Sequence, residues 1–408
     1  MSQTLARIRG ALDFMPSPSP EHPGLFIRDP FRFSDAMLII PPALAPCLRH
    51  FDGTHTDLDL RADLVRLTGD LNVSQIQKQL VEALSTAGFL EDETFAKMQQ
   101  ERLREFAAKP VREPAHAGSA YPADAPELHE TMKRYMGTPD GNSPGTDGMF
   151  ALAAPHVSPQ GGWQSYQSAY RLLGDQYRDR TFIILATSHY GEPETFGLTR
   201  KRFSTPLGEA VTDTALVDWL AERGGDAVRM EDYCHSFEHT IELQLIFLQH
   251  QLGPNVRIVP ILCGPFAHGL LSGQLPERDG AVARFFDALN ELREHEAKRL
   301  FWLLGVDMAH MGARYQDDFP AFAGQGVMHE VEARDRKRIE SINAGDAAAF
   351  WDQVCENRDD LKWCGSSPFY TFLKAAPSAR GQLERYEQWN IDEKSVVSFA
   401  GMSFSRPE

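Results

Sequence analysis

The chain reads as a layered α/β protein with a large mixed sheet flanked by helices, preceded by a small helical domain. Three observations carry this expectation. Short, almost wholly apolar runs recur at Phe150–Ala154, Thr181–Thr187, Val256–Leu262 and Leu300–Val306, the form of strands buried on both faces. Helical periodicity fills the stretches between them. From about Pro41 to Gly88 the pattern is instead that of short helices.

Each run also stops on chemistry. Phe150–Ala154 leads into Pro155 and His156, Thr181–Thr187 into Ser188, His189 and Tyr190, Leu300–Val306 into Asp307, Met308, Ala309 and His310, and Val256–Leu262 into Cys263. In open α/β sheets the carboxyl ends of strands form the ligand crevice. Strands that repeatedly end on His, Asp or Cys therefore predict one polar site assembled from several strand ends.

Composition narrows the function classes. The chain has 408 residues, which favours two domains. A formal net charge of -16 with no basic cluster argues against a nucleic-acid partner; the run Arg334–Arg338, interrupted by Asp335, reads as a solvated helix face. Five irregularly spaced cysteines, Cys47, Cys234, Cys263, Cys355 and Cys364, do not form a disulfide framework. Without a secretory h-region or an apolar run of membrane-spanning length, a cytoplasmic protein with no membrane partner is expected.

In chain order, residues 1 to about 35 are Pro-rich and extended. Helical patterns follow at Leu44–Phe51, at Leu58–Leu67 and from the capping signal Asn72-Val73-Ser74 to Gly88, with Phe89-Leu90 as a short strand. This order suggests a winged-helix-like domain over 1–110 that docks a peptide or protein partner or packs against the second domain, because acidic Glu91, Asp92 and Glu93 suit DNA poorly. The second domain, 111–408, has a helix at Ala125–Met136, a Gly, Pro and Asp-rich loop to Gly148, and a crossover helix at Tyr166–Leu173. Its densest polar motif is Cys234-His235-Ser236-Phe237-Glu238-His239-Thr240-Ile241-Glu242. On one helix, His235 and His239 would share a face, as would Glu238 and Glu242. The order of residues is not the HExxH of zincins. Cys364, set before Gly365-Ser366-Ser367-Pro368 and a helix over Pro368–Leu373, has a place where thiolate forms easily, and could serve as nucleophile, metal ligand or inert core residue.

Together the motifs HAGSAYP at His116, LAAPH ending at His156, ATSH ending at His189, EHTIEL from Glu238, VDMAH ending at His310 and WCGSSP around Cys364 resemble the Memo family. That family is the B component of a three-part system with an AMMECR-like protein and a radical SAM enzyme, and is similar in fold to class III extradiol non-haem iron dioxygenases. The resemblance runs from about His116 to Met402 and extends to the helical N-terminal domain. It implies His156, His189 and Cys364 as ligands of one transition metal, Fe(II) or copper foremost and zinc also. It implies His310 as acid/base with Asp307 beside it, Glu238 and His239 with them as catalytic groups, and His116 and Tyr190 on the substrate side. Two imidazoles and a soft anionic sulfur fit such metals. The activity implied is a dioxygenase-like oxidoreductase; the alternatives are a non-enzymatic module that binds a peptide or small anion in the same pocket, and thiol chemistry at Cys364. The chain departs from the family at Val157-Ser158-Pro159, Tyr190, Ala120 and Gln244, which alters the pocket wall but removes no implied ligand.

Overall fold

The computed structural model describes residues 2–139 and 148–406. They form two compact units, Met1–Ala108 and Lys109–Glu408. The loop expected to run to Gly148 lies largely outside the described residues.

In the first unit, strands Asp13–Pro16, Leu25–Arg28 and Met37–Ile40 form an antiparallel sheet. A 3-10 turn at Ala45–His50 and helices Asp57–Thr68, Ser74–Thr86 and Glu93–Ala108 follow. Thr56 and Asp59 form a capping box on the first of these helices. The second starts at Ser74 without a side-chain cap, so the expected capping signal marks the position but not the mechanism. The expected strand at Phe89-Leu90 is a single bridge between Leu90 and Ile8. Leu60, Leu64, Leu80, Leu84 and Phe89 close the core with Ile27 from the sheet. A buried Arg9–Asp29 pair at 3.0 Å holds its edge.

The second unit is built on a 12-stranded mixed sheet. Its centre is five parallel strands in the order Met149–Ala154, Leu300–Gly305, Thr181–Thr187, Arg257–Cys263 and Gly208–Thr212. Every residue of the first three is buried, as expected for strands covered by helices on both faces. The long strand Ser395–Ser405 runs antiparallel beside Met149–Ala154 and forms a hairpin with Arg380–Asp392. Helices Ala125–Met136, Pro159–Tyr170, Thr240–Leu252, Gly280–Glu296, Met328–Asn343 and Ser366–Ala375 belong to this unit. The crossover helix therefore starts and ends earlier than its apolar pattern suggests, because Pro159 can open a helix at its first turn.

Register brings the functional loops together. Gly305 lies opposite both Ala154 and Ala186, so the segments leading to His156, Asp307 and His189 leave adjacent strand ends at one level. At Gly305 a Cβ would fall 2.9 Å from the Thr240 carbonyl oxygen and 3.0 Å from Gln244 Nε2; the missing side chain is what lets the Thr240–Leu252 helix approach so closely.

Met328–Asn343 is not the solvated helix its charges suggest. Asp335 and Arg338 lie on the same side as buried Met328, Val331, Ile339 and Ile342, and the three neighbouring cations point outward. A spacing of three to four residues put both charged groups on the apolar stripe. Local charge density masked it.

Candidate metal centre

His156, His189 and His239 present one nitrogen each, all within 4.8 Å of one another. Two of these imidazoles come from the loops after Met149–Ala154 and Thr181–Thr187, the strands on either side of Leu300–Gly305, and the third is the residue before the Thr240–Leu252 helix. The expected single helix through Cys234–Glu242 does not form. Tyr233–Ser236 is a 3-10 turn, Phe237 leaves helical geometry with φ -131° and ψ -9°, and the α-helix begins only at Thr240. The shared faces expected for His235 with His239, and for Glu238 with Glu242, are therefore broken. The break has a physical cause: it turns Glu238 toward the His189 loop and Glu242 toward Arg112.

Glu238 organises the cluster. Its Oε2 accepts the His189 backbone N–H at 2.8 Å and its Oε1 accepts that of His239 at 2.9 Å. His189 Nδ1 lies 3.1 Å and His239 Nδ1 3.0 Å from Oε1. His156 Nδ1 lies 3.1 Å from the Gly305 carbonyl oxygen. An oxygen acceptor at each Nδ1 favours a proton there, so Nε2 is the nitrogen left to a metal once the His189 ring gives up its second proton. This is the outer-shell arrangement that orients histidine metal ligands.

Cys364 borders the same centre. Its Sγ is 3.3 Å from His156 Nε2 and 3.7 Å from the Asp307 carbonyl oxygen. A sulfur and an imidazole nitrogen bound tetrahedrally to one ion, at about 2.3 and about 2.0 Å, stand roughly 3.5 Å apart. The donor set and its spacing thus fit a transition metal. The Cys364 loop is pressed close to the Asp307 loop: Gly365 N donates to the Asp307 carbonyl at 3.0 Å, and a Cβ at Gly365 would stand 2.5 Å from that oxygen.

Burial and charge set the protonation states. Burial pulls the His189 imidazole down, but the Glu238 carboxylate and the Cys364 sulfur outweigh it and hold the ring well above its ordinary value. Burial likewise raises Glu238, yet His189 and His239 bring it well below the carboxylate range. Burial and the neighbouring imidazoles His189 and His239 keep His156 well below its ordinary value. The Cys364 thiol is pushed up by burial, with His189 only partly offsetting it; the depressed value expected from its place before a helix does not occur. As a free thiol it is a poor nucleophile, whereas a cation at the centre would favour its thiolate.

The other expected residues take distinct places. Asp307 Oδ1 accepts the backbone N–H groups of His156 and Val157 at 2.9 and 3.2 Å, and burial lifts its carboxyl to about 7. It braces the His156 loop. His310 Nδ1 lies 2.9 Å from the Met308 carbonyl and 3.1 Å from that of Lys362, so its Nε2 is an acceptor. Burial and the His189 charge bring this ring down to about 4, and it is neutral at pH 7. His116 Nε2 bonds the Phe237 carbonyl at 2.6 Å, and its ring lies 5.6 Å from that of His239. Tyr190 stands at the rim, its ring centroid 6.4 Å from His189 and 5.3 Å from Phe237.

Three supporting residues are assigned no site role by the sequence. Arg112 forms a buried ion pair with Glu242, which also accepts from Tyr121 Oη and from the backbone of Ala115 and His116. Asp335 accepts from Trp363 Nε1 at 2.7 Å, Tyr386 Oη at 2.8 Å and Ser398 Oγ at 2.6 Å, and so fixes the residue before Cys364. Gln244, where the sequence departs from the Memo pattern, donates to the Pro155 carbonyl at 2.7 Å and accepts from Tyr170 Oη at 2.9 Å. Only the polar position on an apolar helix face could have flagged Asp335.

His156 is buried, with a side chain 2% exposed, whereas those of His189 and His239 are 29% and 33% exposed. Access is thus from the side of those two rings. A cavity of about 300 Å³ borders His189 and Cys364 and is walled by Phe266, Leu270, Trp351 and Trp363.

The family model described as Memo-like protein matches residues 112–403. A MEMO1 family protein of Aquifex aeolicus is 24% identical over 382 residues, which cover 93% of this chain and 95% of that protein. MEMO1 family proteins of Methanopyrus kandleri and Thermococcus kodakarensis are each 28% identical, over 310 and 308 residues; each alignment covers 72% of this chain, with 99% and 100% of the respective relative. With the match spanning most of the second unit and well over half of the whole sequence, the chain belongs to the Memo-like protein family.

Proposed function

We propose that the second unit holds one transition-metal ion on His156, His189 and Cys364, with His239 in ligand reach, and that it acts as a metal-dependent oxidoreductase related in fold to the class III extradiol dioxygenases. The observation that carries the reading is the convergence of three imidazoles, each with Nδ1 against an oxygen. Imidazole and thiolate donors together favour iron, copper or zinc over magnesium or calcium. When bound, such an ion supplies Lewis-acid polarisation or one-electron chemistry. The chain's own residues supply the rest. Glu238 orients two rings, and Asp307 and Asp335 hold the two loops that carry His156 and Cys364. His310 offers a neutral Nε2 that accepts a hydrogen bond from a substrate hydroxyl and passes a proton on rather than retaining it.

The same reading extends to the first unit as a winged-helix-like docking domain, supported by its succession of a short helical turn and two helices closed by the Leu90 bridge. The resemblance motivates a radical SAM enzyme and an AMMECR-like protein as partners. A non-enzymatic role is favoured by one feature, the apolar wall of the cavity beside Cys364, which would suit capture of a peptide side chain.

Elemental analysis of anaerobically purified protein tests the metal reading. Close to one iron or copper per chain is expected in the wild type, with loss of most of it in Cys364→Ala. Full occupancy in that variant would remove Cys364 from the ligand set. No metal in the wild type after reconstitution with Fe(II), Cu(I) and Zn(II) would overturn the reading.

A further inference from the structure

At the opposite end of the central sheet, where Met149–Ala154 and Leu300–Gly305 begin, lies a second cavity of about 330 Å³. Six residues of strand separate the two ends, so this cavity is roughly 20 Å from the imidazole cluster. Three cationic side chains line it: Arg180 from the turn before Thr181, Lys298 from the turn before Leu300, and Arg406 after the last strand. Among the described residues no Asp or Glu lines it, and none forms an ion pair with these three cations.

That arrangement is unusual for this chain. It carries 57 acidic residues against 41 Lys and Arg, and most of its cations elsewhere sit beside a carboxylate, as Arg200, Arg299 and Arg334 do. Three like charges brought to one concavity repel one another. An anion in the cavity removes that repulsion. Arg406 is held in place: its Nη2 donates to the Ala297 carbonyl at 3.0 Å, and its guanidinium lies 5.8 Å from the Phe150 ring centroid. One edge of its guanidinium is thereby fixed, and the remaining N–H groups are left to a ligand. Tyr177 stacks edge-on against Phe301 at 5.0 Å and donates to the Met149 carbonyl at 3.3 Å, giving the cavity a rigid aromatic floor.

We propose that this cavity is a binding site for a small phosphate-bearing anion, separate from the metal centre. Guanidinium groups pair with phosphate oxygens in a planar, two-bond geometry, and a lysine adds a point charge. The cavity is larger than inorganic phosphate needs, and its aromatic floor suits a ligand with a flat apolar part. The proposal does not depend on the metal reading.

The test is calorimetric titration of the full chain with inorganic pyrophosphate and, separately, with ADP, at low and at physiological salt. Because polyphosphates also chelate metals, both titrations are repeated in a His189→Ala background. Binding of at least one probe is expected, retained in that background, weakened by added salt, and weakened at least 10-fold in Arg180→Ala/Lys298→Ala. Tighter binding of ADP than of pyrophosphate would assign the floor to a nucleoside. The double variant should melt at the wild-type temperature, since both side chains line an open cavity. No binding of either probe at millimolar concentration, loss of all binding in His189→Ala, or unchanged affinity in the double variant would overturn the proposal.

Discussion

Replacing Glu238 with alanine is expected to weaken metal binding by about 10- to 100-fold, the range found when outer-shell partners of metal-bound histidines are removed. One carboxylate fixes the tautomer of both His189 and His239 and accepts the backbone N–H of each. Without it, either ring can move its proton to Nε2 and withdraw the lone pair from the centre. His156 keeps its own acceptor at the Gly305 carbonyl, so binding should weaken rather than vanish. Glu238→Gln retains one oxygen acceptor and should fall between the wild type and alanine. Competition against a chromophoric chelator, under anaerobic conditions, measures all three. An alanine variant with wild-type affinity would show that the rings are held by something other than Glu238.

The largest stability loss is expected at Arg112→Met. This substitution keeps much of the side-chain volume but leaves Glu242 without its cation, and removing one partner of a buried pair costs about 3–5 kcal/mol. Arg112 also donates to the carbonyls of His235 and Glu238, at 2.8 Å each, so the loss extends to the segment bearing His239. The pH dependence has a defined sign. In the wild type, burial raises Glu242 but Arg112 and Tyr121 more than compensate, and its carboxyl lies below the ordinary value. Its contribution is therefore present above the unfolded carboxyl range and is lost as pH falls through the lower folded value. In Arg112→Met the largest opposing charge is gone; Tyr121 and the Ala115 and His116 N–H groups still bond the carboxylate, but burial now weighs more heavily and moves the folded value upward, so protonation relieves the variant. The destabilisation, read from chemical denaturation, should be largest near pH 7 and shrink toward pH 4. A deficit that is constant across that range would mean that packing, not the unpaired carboxylate, dominates.

The sheet was legible because buried parallel strands leave a simple signature. Phe182–Ala186 could hardly be anything else, and the residues that follow such strands were the natural candidates for a site. His156 and His189 were found this way, and the structure brings them together with His239. What sequence spacing could not give was the break at Phe237. A run with good helical periodicity yields to a 3-10 turn because Glu238 gains more from two backbone N–H groups and two imidazoles than from one further helical turn. That choice depends on the His189 loop, almost fifty residues away. Asp335 was hidden for a related reason. Its three donors lie on Trp363, Tyr386 and Ser398, and in sequence it is only one charge among five. The raised Cys364 thiol follows from burial by the Asp307 and His156 loops, which no reading of its own helix could supply.

The central question is whether Cys364 and the imidazoles share one ion. X-ray absorption at the metal edge of the anaerobically loaded protein decides it. One sulfur neighbour at about 2.3 Å with nitrogen neighbours at about 2.0 Å, the sulfur lost in Cys364→Ala and nitrogen reduced in His189→Ala, is the expected result. A shell of nitrogen and oxygen alone in the wild type, unchanged in both variants, would contradict it and place any bound metal elsewhere on the chain.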